Sequence, residues 1–377
     1  MLKIVFTISS VLLGCVLLSW LAYTFLFSSE TSETKPEVSI EAMEKENGSG
    51  ESKNVSVFSD VPLISPELSS DGKTIYGYHG DTGAVYAIDT ETRQKEVLLD
   101  TKRTNPIVAM WARDPRTSIL KTSPQDGAQY FLVDASRESV QALPSDIVYL
   151  IWDSISEKIA FIKKPQRGEI AFFTAQPDGS GQQQVALVRD SARISMSAMP
   201  ASPAIAYWPE PKNTRISPLM SINLGSGSKK EVFAGKYGAD YRFSPDGERI
   251  LISWAPEKSG SRLTLAMMNK YGGQYADLGL PTLVSKCAWN ASSDAVYCAV
   301  PTGIPQSAVM PDDYRNGEIF TTDVFWKINV ETGEKERLVE LADITETFDA
   351  QDVSVSPDEQ RLYFSDRKTG KVFEIAL

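Results

Sequence analysis

The chain repeats a strand–turn–strand pattern at nearly regular intervals. The clearest copies are residues 243–253 and 355–365, in which a Ser-Pro-Asp turn joins two apolar, alternating segments. Successive copies lie 40 to 46 residues apart, except for one interval of 66 residues. A period of this length in β-rich sequence is typical of propeller blades. Equivalent aliphatic residues in the second strand mark seven units: Ile75, Ile119, Ile159, Ile205, Ile250, Val296 and Leu362.

The repeat predicts an all-β fold, a β-propeller of about seven four-stranded blades over residues 55–377. Helical repeats are excluded because the units are rich in Val, Ile, Tyr, Phe and Thr and are interrupted by Gly, Pro, Asp and Ser. The last unit reaches residue 377 after its third strand. We therefore expect residues 55–58 to add the missing outermost strand, which would close the ring and leave no unpaired edge.

The Ser244-Pro245-Asp246-Gly247 turn precedes a charged pair, an aliphatic run and Ser253. This pattern resembles the WD-like repeats of TolB-type bacterial β-propellers, and the resemblance extends over the whole repeat region. It implies a propeller fold and, because such propellers most often bind other proteins, a binding platform.

The N-terminal region has a different composition from the repeats. Residues 4–27 contain no charge and are long enough to span a bilayer as a helix, so residues 1–27 are predicted to be an uncleaved transmembrane signal anchor. Lys3 precedes the span and acidic residues follow it, which predicts a cytoplasmic N-terminus and an extracytoplasmic propeller at the cell membrane. A lipoprotein cleavage box ending at Cys15 is the alternative. Residues 28–54 are polar and Glu-rich and are predicted to form a disordered stalk.

The composition also limits the chemistry. With 49 acidic against 38 basic residues, the chain lacks the cationic excess that nucleic-acid binding requires. Its one histidine, His79, and three cysteines leave little material for His-based catalysis or a thiolate metal site. We therefore expect no nucleic-acid partner, no metal site and no cofactor.

The long interval places an insertion at residues 302–322, between the second and third strands of the sixth unit. A long loop with charged and aromatic residues is a candidate contact surface, although it can also serve only as a lid. Tryptophans at the end of first strands are weaker candidates because aromatics at a repeated position usually pack between blades. The candidate ligand-binding residues are Asp312, Asp313, Tyr314, Arg315, Trp111 and Trp152.

Two further patterns concern structure. Cys287 and Cys298 fall on neighbouring strands of the sixth unit, where either a disulfide or two free buried thiols is expected. The aspartates of the turns between first and second strands are expected to accept local backbone hydrogen bonds. A calcium site is disfavoured because no D-x-[DN]-x-[DN]-G loop is present.

Together these observations favour a non-catalytic, membrane-anchored platform whose loop-rich face binds a protein or cell-envelope partner. The first alternative is an enzyme with its site in the central channel, such as a metal-dependent lactonase-like hydrolase or a quinone-dependent dehydrogenase. The absence of a G-x-S-x-G elbow argues against a serine hydrolase. A structural subunit of an envelope complex is the second alternative.

Overall fold

The computed structural model describes residues 55–123, 129–163, 168–189, 193–340 and 346–377. These residues form seven antiparallel sheets of four strands each. The chain is a seven-bladed β-propeller. Within each of the first six blades the strands follow one another in sequence order, from the innermost to the outermost.

The strands are short, as expected of blades cut by frequent turns. Two 3₁₀ turns, Ala135–Arg137 and Val284–Lys286, also occur. The first four blades contain β2 (Leu63–Leu68), β3 (Thr74–His79), β4 (Ala84–Asp89), β5 (Lys95–Asp100), β6 (Pro106–Trp111), β7 (Thr117–Thr122), β8 (Tyr130–Asp134), β9 (Ser139–Ala142), β10 (Ile147–Trp152), β11 (Ile159–Lys163), β12 (Glu169–Ala175), β13 (Gln183–Arg189), β14 (Ile194–Ala198), β15 (Ala204–Pro209), β16 (Leu219–Asn223) and β17 (Lys229–Phe233). The last three contain β18 (Asp240–Phe243), β19 (Arg249–Trp254), β20 (Thr264–Asn269), β21 (Ala276–Asp277), β22 (Cys287–Trp289), β23 (Ala295–Thr302), β24 (Thr322–Asn329), β25 (Lys335–Arg337), β26 (Ala350–Val355), β27 (Arg361–Asp366), β28 (Val372–Ala376) and β1 (Val55–Ser59).

The seven aliphatic marker residues lie on the seven second strands, and each is buried. Their burial explains the regular spacing, because each blade needs one apolar side chain at this point to pack against its neighbours. The cores between blades are largely separate clusters, as in the group of Ile119, Leu150 and Phe161 between the second and third blades. The predicted blade number is therefore confirmed within the described residues.

The ring closes as the sequence predicts. β1 pairs antiparallel with β28, so the first strand of the domain completes the blade that holds the last. Phe58 is buried at this junction, where its ring meets Tyr363 edge-on at 5.1 Å and the guanidinium of Arg93 lies 4.3 Å above it. Closure thus rests on apolar contact as well as on the strand ladder.

The insertion begins and ends where the interval predicts. Thr302 and Thr322 are paired across β23 and β24, and the residues between them leave the blade. They contain one short helix, α1 (Asp312–Asn316), which ends at Gly317 in the left-handed conformation.

The predicted membrane anchor and stalk, residues 1–27 and 28–54, lie outside the described residues. Among the residues that the structure does describe, no helix is long and apolar enough to cross a membrane.

Candidate functional site

The propeller has two faces of different character. The turns between first and second strands lie on one face, which we call the turn face. The loops between second and third strands, including the insertion, lie on the other, the insertion face. In the turn of the fifth blade, Asp246 accepts the backbone N–H of Glu248 at 2.9 Å, and Ser244 bonds to the backbone of Arg249. The turn aspartates thus have the structural role expected of them.

The insertion is fixed to its neighbours by polar contacts. The Asp312 carboxylate accepts the backbone N–H of Asn213 at 2.6 Å, and Asp313 accepts that of Val309 at 2.7 Å. Arg315 donates to Glu210 of the fourth blade at 3.1 Å. Three of the four predicted insertion residues therefore hold the loop in place, which leaves less of their hydrogen-bonding capacity for a partner.

Tyr314, the fourth, reaches a fully buried charge cluster. Lys286 donates to Asp323 and Asp349, each at 2.7 Å, and to the carbonyl of Ala350 at 2.8 Å. The Tyr314 hydroxyl donates to the same Asp349 at 2.8 Å. Because all three ammonium protons have acceptors, the buried charge is compensated and the insertion is tied to the sixth and seventh blades.

Burial and charge act in opposite directions in this cluster. Burial raises the pKa of Asp323. Burial also acts to raise the pKa of Asp349, but the adjacent Lys286 charge and its hydrogen bonds bring that pKa below its usual value. Burial raises the pKa of Tyr314 to about 12, so its hydroxyl remains a donor near neutral pH.

An apolar and basic patch lies on the insertion face. Phe320, near the end of the insertion, is 53% exposed. Arg367 and Lys368, from the loop between β27 and β28, place their cationic groups 5.6 and 5.9 Å from its ring. Ile216 and Tyr237, which form an isolated bridge on the same face, are also exposed. Exposed aromatic and cationic groups together are common in protein interfaces.

A cavity of about 630 Å³ opens from the central channel on the turn face. Its wall contains the aromatic residues Trp111, Phe243 and Trp289 at the ends of innermost strands. Glu67, Arg242 and Asp352 also line it, from the first, fifth and seventh blades. The cavity is thus both aromatic and charged.

Glu67 and Asp352 are exposed to the solvent of the channel, and Arg242 is half-buried. Burial raises the pKa of Glu67 and of Asp352, and burial lowers the pKa of Arg242. The positive charge of Arg242 opposes the shift at both carboxylates, and the two carboxylates in turn favour the charged form of Arg242.

The two predicted tryptophans differ in position. Trp111 lines the cavity, and its indole N–H donates to the carbonyl of Ser65 at 2.7 Å. Trp152 lines a separate crevice of about 160 Å³, and its N–H donates to the carbonyl of Met110 at 2.8 Å. Both indoles therefore bond to the preceding blade. The structure does not bring them together with the four predicted insertion residues.

Cys287 and Cys298 form a disulfide between directly opposed residues of β22 and β23, with Cα atoms 4.1 Å apart.

His79 accepts the backbone N–H groups of Asp81 and Thr82 within its loop. No group of three or more His, Cys, Asp or Glu that could hold a metal occurs in the part of the chain that the structure describes.

Replacing Cys287 and Cys298 together by alanine should lower the free energy of unfolding by about 3 kcal/mol, because a short closed loop no longer restricts the unfolded chain. Chemical denaturation of the purified protein measures this loss. Reducing the disulfide of the unaltered protein, checked by a mass gain of two hydrogen atoms, should produce a similar loss. An unchanged denaturation midpoint after complete reduction would contradict the prediction.

Sequence reasoning missed the most strongly interacting residues. Lys286 has acceptors 37 and 63 residues away, and no local pattern marks it. Glu67, Arg242 and Asp352 come from three blades. Each of their strands also contains other polar residues, so no local pattern marks these three either.

Comparison with known proteins agrees with this fold. No protein-family model matches the chain, and no curated protein matches it. Among solved structures, an oligogalacturonate lyase in complex with manganese has a TM-score of 0.63 at 13% identity, covering 86% of this chain and 93% of that one. The Cps50 (Swd1) β-propeller domain of Myceliophteria thermophila has a TM-score of 0.56 at 10% identity, covering 86% and 99%. TolB from Acinetobacter baumannii also matches, with a TM-score of 0.44 at 12% identity, covering 83% and 78%. At these identities the first two matches show the propeller fold alone.

Proposed function

We propose that this chain is a membrane-anchored, extracytoplasmic binding platform without catalytic activity, similar in role to TolB-type propellers. Its insertion face binds a protein partner. The anchor is residues 4–27 and the stalk is residues 28–54, as their composition predicts.

The observation that carries the proposal is the exposed Phe320 beside Arg367 and Lys368. An exposed aromatic side chain lowers solubility unless a partner covers it. Aromatic and cationic residues of this kind dominate the binding energy of many interfaces. The buried cluster around Lys286 holds the insertion, so the patch is fixed before a partner arrives. Preorganisation of this kind lowers the entropic cost of binding.

The patch also indicates the chemistry of the partner. Arg367 and Lys368 are cationic, and they flank an apolar ring. A segment with an apolar side chain between acidic residues would match both properties. The partner that we propose is therefore a protein with an acidic, apolar contact segment.

Replacing Phe320 by alanine should weaken partner binding by about 2 kcal/mol or more, roughly a 30-fold loss of affinity. Affinity capture of the full-length protein from its native membrane, followed by titration of the identified partner, measures the loss. Deleting residues 303–321 is a poorer test because the deletion would also remove Tyr314 from the buried cluster.

The matched control is Ile155→Ala, which removes a side chain of similar exposure from a turn on the opposite face. This variant should bind as the unaltered protein does. Lys368→Glu should weaken binding and reduce its dependence on salt. A partner that tolerates both Phe320→Ala and Lys368→Glu would exclude the patch as its site.

A further inference from the structure

The buried cluster around Lys286 holds an amine directly against a carboxyl group. The side chains of Lys286, Asp323 and Asp349 are fully buried. Nζ of Lys286 lies 2.7 Å from Oδ2 of Asp323, so the carboxyl carbon is only one bond beyond a contacting atom. Groups held in this way react as if their concentration were about 10⁵ M or more, provided that they are well oriented. The two side chains are therefore positioned to condense to an amide.

The two carboxyl groups of the cluster differ in their hydrogen bonds. Oδ1 of Asp349 accepts from Lys286 and from two side-chain hydroxyl groups, at 2.7 to 2.9 Å. Asp323 accepts from Lys286 and from the backbone N–H of Ala350, both on Oδ2. Burial raises the pKa of Asp323, whereas at Asp349 the Lys286 charge and the donors outweigh burial and lower the pKa. Asp349 is thus the ionised carboxylate, which can accept a proton, and Asp323 is the neutral acid.

The other oxygen of Asp323 has no hydrogen-bond partner. Its Oδ1 is enclosed by protein and bonds to no described residue. The equivalent oxygen of Asp349 also lacks a hydrogen bond, but it lies 4.0 Å from the guanidinium of Arg367. Buried polar atoms without partners are rare and costly. Condensation with Lys286 removes this unpaired atom, because Oδ1 is the oxygen that leaves.

From this arrangement we infer that Lys286 and Asp323 form an intramolecular amide bond, and that Asp349 accepts the proton that the reaction releases. A base is needed because the carboxyl groups beside Lys286 outweigh burial and raise the pKa of its amine. Asp349 takes one proton from Nζ, and the freed electron pair of Nζ attacks Cγ of Asp323. The N–H of Ala350, 2.7 Å from Oδ2, donates to the negative charge that develops on that oxygen.

The reaction balances without an oxidant or a co-reactant. The Nζ–Cγ bond replaces the bond between Cγ and Oδ1. Oδ1 departs as water, with the hydrogen of the neutral acid and a second proton from Nζ. Asp349 ends protonated, so the positive charge of Lys286 and the negative charge of Asp349 both disappear.

Loss of these charges favours the product. Each ion costs several kcal/mol to bury, even when it has a partner, and an amide carries no net charge. The ion cluster described above is the state that precedes the bond. Once formed, the bond links residue 286 to residue 323, beside the base of the insertion. It is internal to the propeller and does not depend on whether the insertion face binds a partner.

Intact-mass spectrometry of the full-length protein, denatured and with its disulfide reduced, tests the inference. We expect most of the protein, purified in its folded form, to be lighter than its sequence by one water. Lys286→Met should have the full mass of its own sequence, because it lacks the amine. Any processing of the N-terminus affects both proteins equally and cancels in the comparison. Unaltered protein with no missing water would overturn the inference.

Tryptic mapping locates the bond. Lys286 should resist cleavage, and residues 271–315 and 316–327 should appear as one branched peptide with two N-termini. Lys270 is the internal control, since its ammonium bonds to Glu248 at 2.6 Å on the surface, and trypsin should cleave after it. A linear peptide that ends at Lys286, or a branch at a residue other than Asp323, would contradict the assignment.

Asp349→Asn tests the role of the proton acceptor. Asparagine keeps the size of the side chain but is not a base, so we expect at least tenfold less of the bonded form in the folded variant. Lys270→Met is the matched control and should keep the missing water. Melting curves verify that Asp349→Asn is folded, and if it is not, the mass of the unaltered protein still decides the question. Complete bond formation in folded Asp349→Asn would refute this role, and a purely structural contribution of Asp349 does not change the mass.

Discussion

Replacing Lys286 by methionine should lower the free energy of unfolding by about 3–5 kcal/mol. Methionine fills most of the space of the lysine stem, so the loss comes mainly from charge. Without the ammonium group, Asp323 and Asp349 stay buried, and the one remaining cation among the described residues is Arg367, whose guanidinium lies 4.0 Å from Asp349 alone. Chemical denaturation followed by tryptophan fluorescence measures the loss.

The pH dependence separates this electrostatic cause from a packing defect. In the variant, the pKa of both carboxylates should rise because the Lys286 charge no longer opposes burial, and Asp323, which has no second cation in the described part of the chain, should have a folded-state pKa well above the unfolded value of about 3.9. The folded variant then takes up protons before the unfolded chain does. The difference in the free energy of unfolding between the unaltered protein and the variant should therefore shrink as pH falls from about 7 to 5. A difference in unfolding free energy that stays constant with pH would contradict this account.

Lys270→Met is the matched control, since Lys270 pairs with Glu248 at 2.6 Å on the surface. Solvent screens that pair, so its loss should lower the free energy of unfolding far less than Lys286→Met does. Adding Asp323→Asn to Lys286→Met should recover part of the stability by removing one uncompensated charge. If Lys286→Met is no more harmful than Lys270→Met, the buried cluster does not stabilise the insertion.

Replacing Phe58 by alanine should also cost about 3–5 kcal/mol, the usual range for a buried phenylalanine. Phe58 lies in one cluster with Leu63, Ile75 and Tyr363, which joins the first and seventh blades. Its loss leaves a cavity at the point where the ring closes. The predicted consequence is a lower denaturation midpoint, together with faster proteolysis within β1.

The neighbouring residue Val57 provides the control on the same strand. Val57 is 53% exposed, so Val57→Ala should change stability by less than about 0.5 kcal/mol. Equal losses in Phe58→Ala and Val57→Ala would mean that the strand ladder alone closes the ring. The contrast between two adjacent residues tests the apolar contact without altering the strand pairing.

The repeat was readable from sequence because each blade needs the same buried aliphatic residue at the same place. The bounds of the insertion followed from arithmetic on that spacing, and Thr302 and Thr322 do pair across its base. Closure by residues 55–58 followed from counting strands. These features are local or periodic, so one sequence contains enough information to locate them.

The contacts of the candidate site residues were harder to predict from the sequence. Tyr314 was selected as a contact residue, but in the fold its ring is buried and its hydroxyl serves the Lys286 cluster. Glu67 and Arg242 line one cavity only because the ring arranges distant blades around one channel. Sequence spacing does not report which charged residues share a channel, because that depends on how each innermost strand is rotated and offset.

The closure of the ring has a consequence for synthesis. Ser56 of β1 bonds to Glu374 of β28, a residue 318 positions later in the chain. At a synthesis rate of about 10 residues per second, β1 waits roughly half a minute before its partner strand exists. Through that interval β1 has no strand to pair with, so its unpaired edge is open to other chains. We therefore expect aggregation during synthesis to be most sensitive to chaperones just before the last blade is complete.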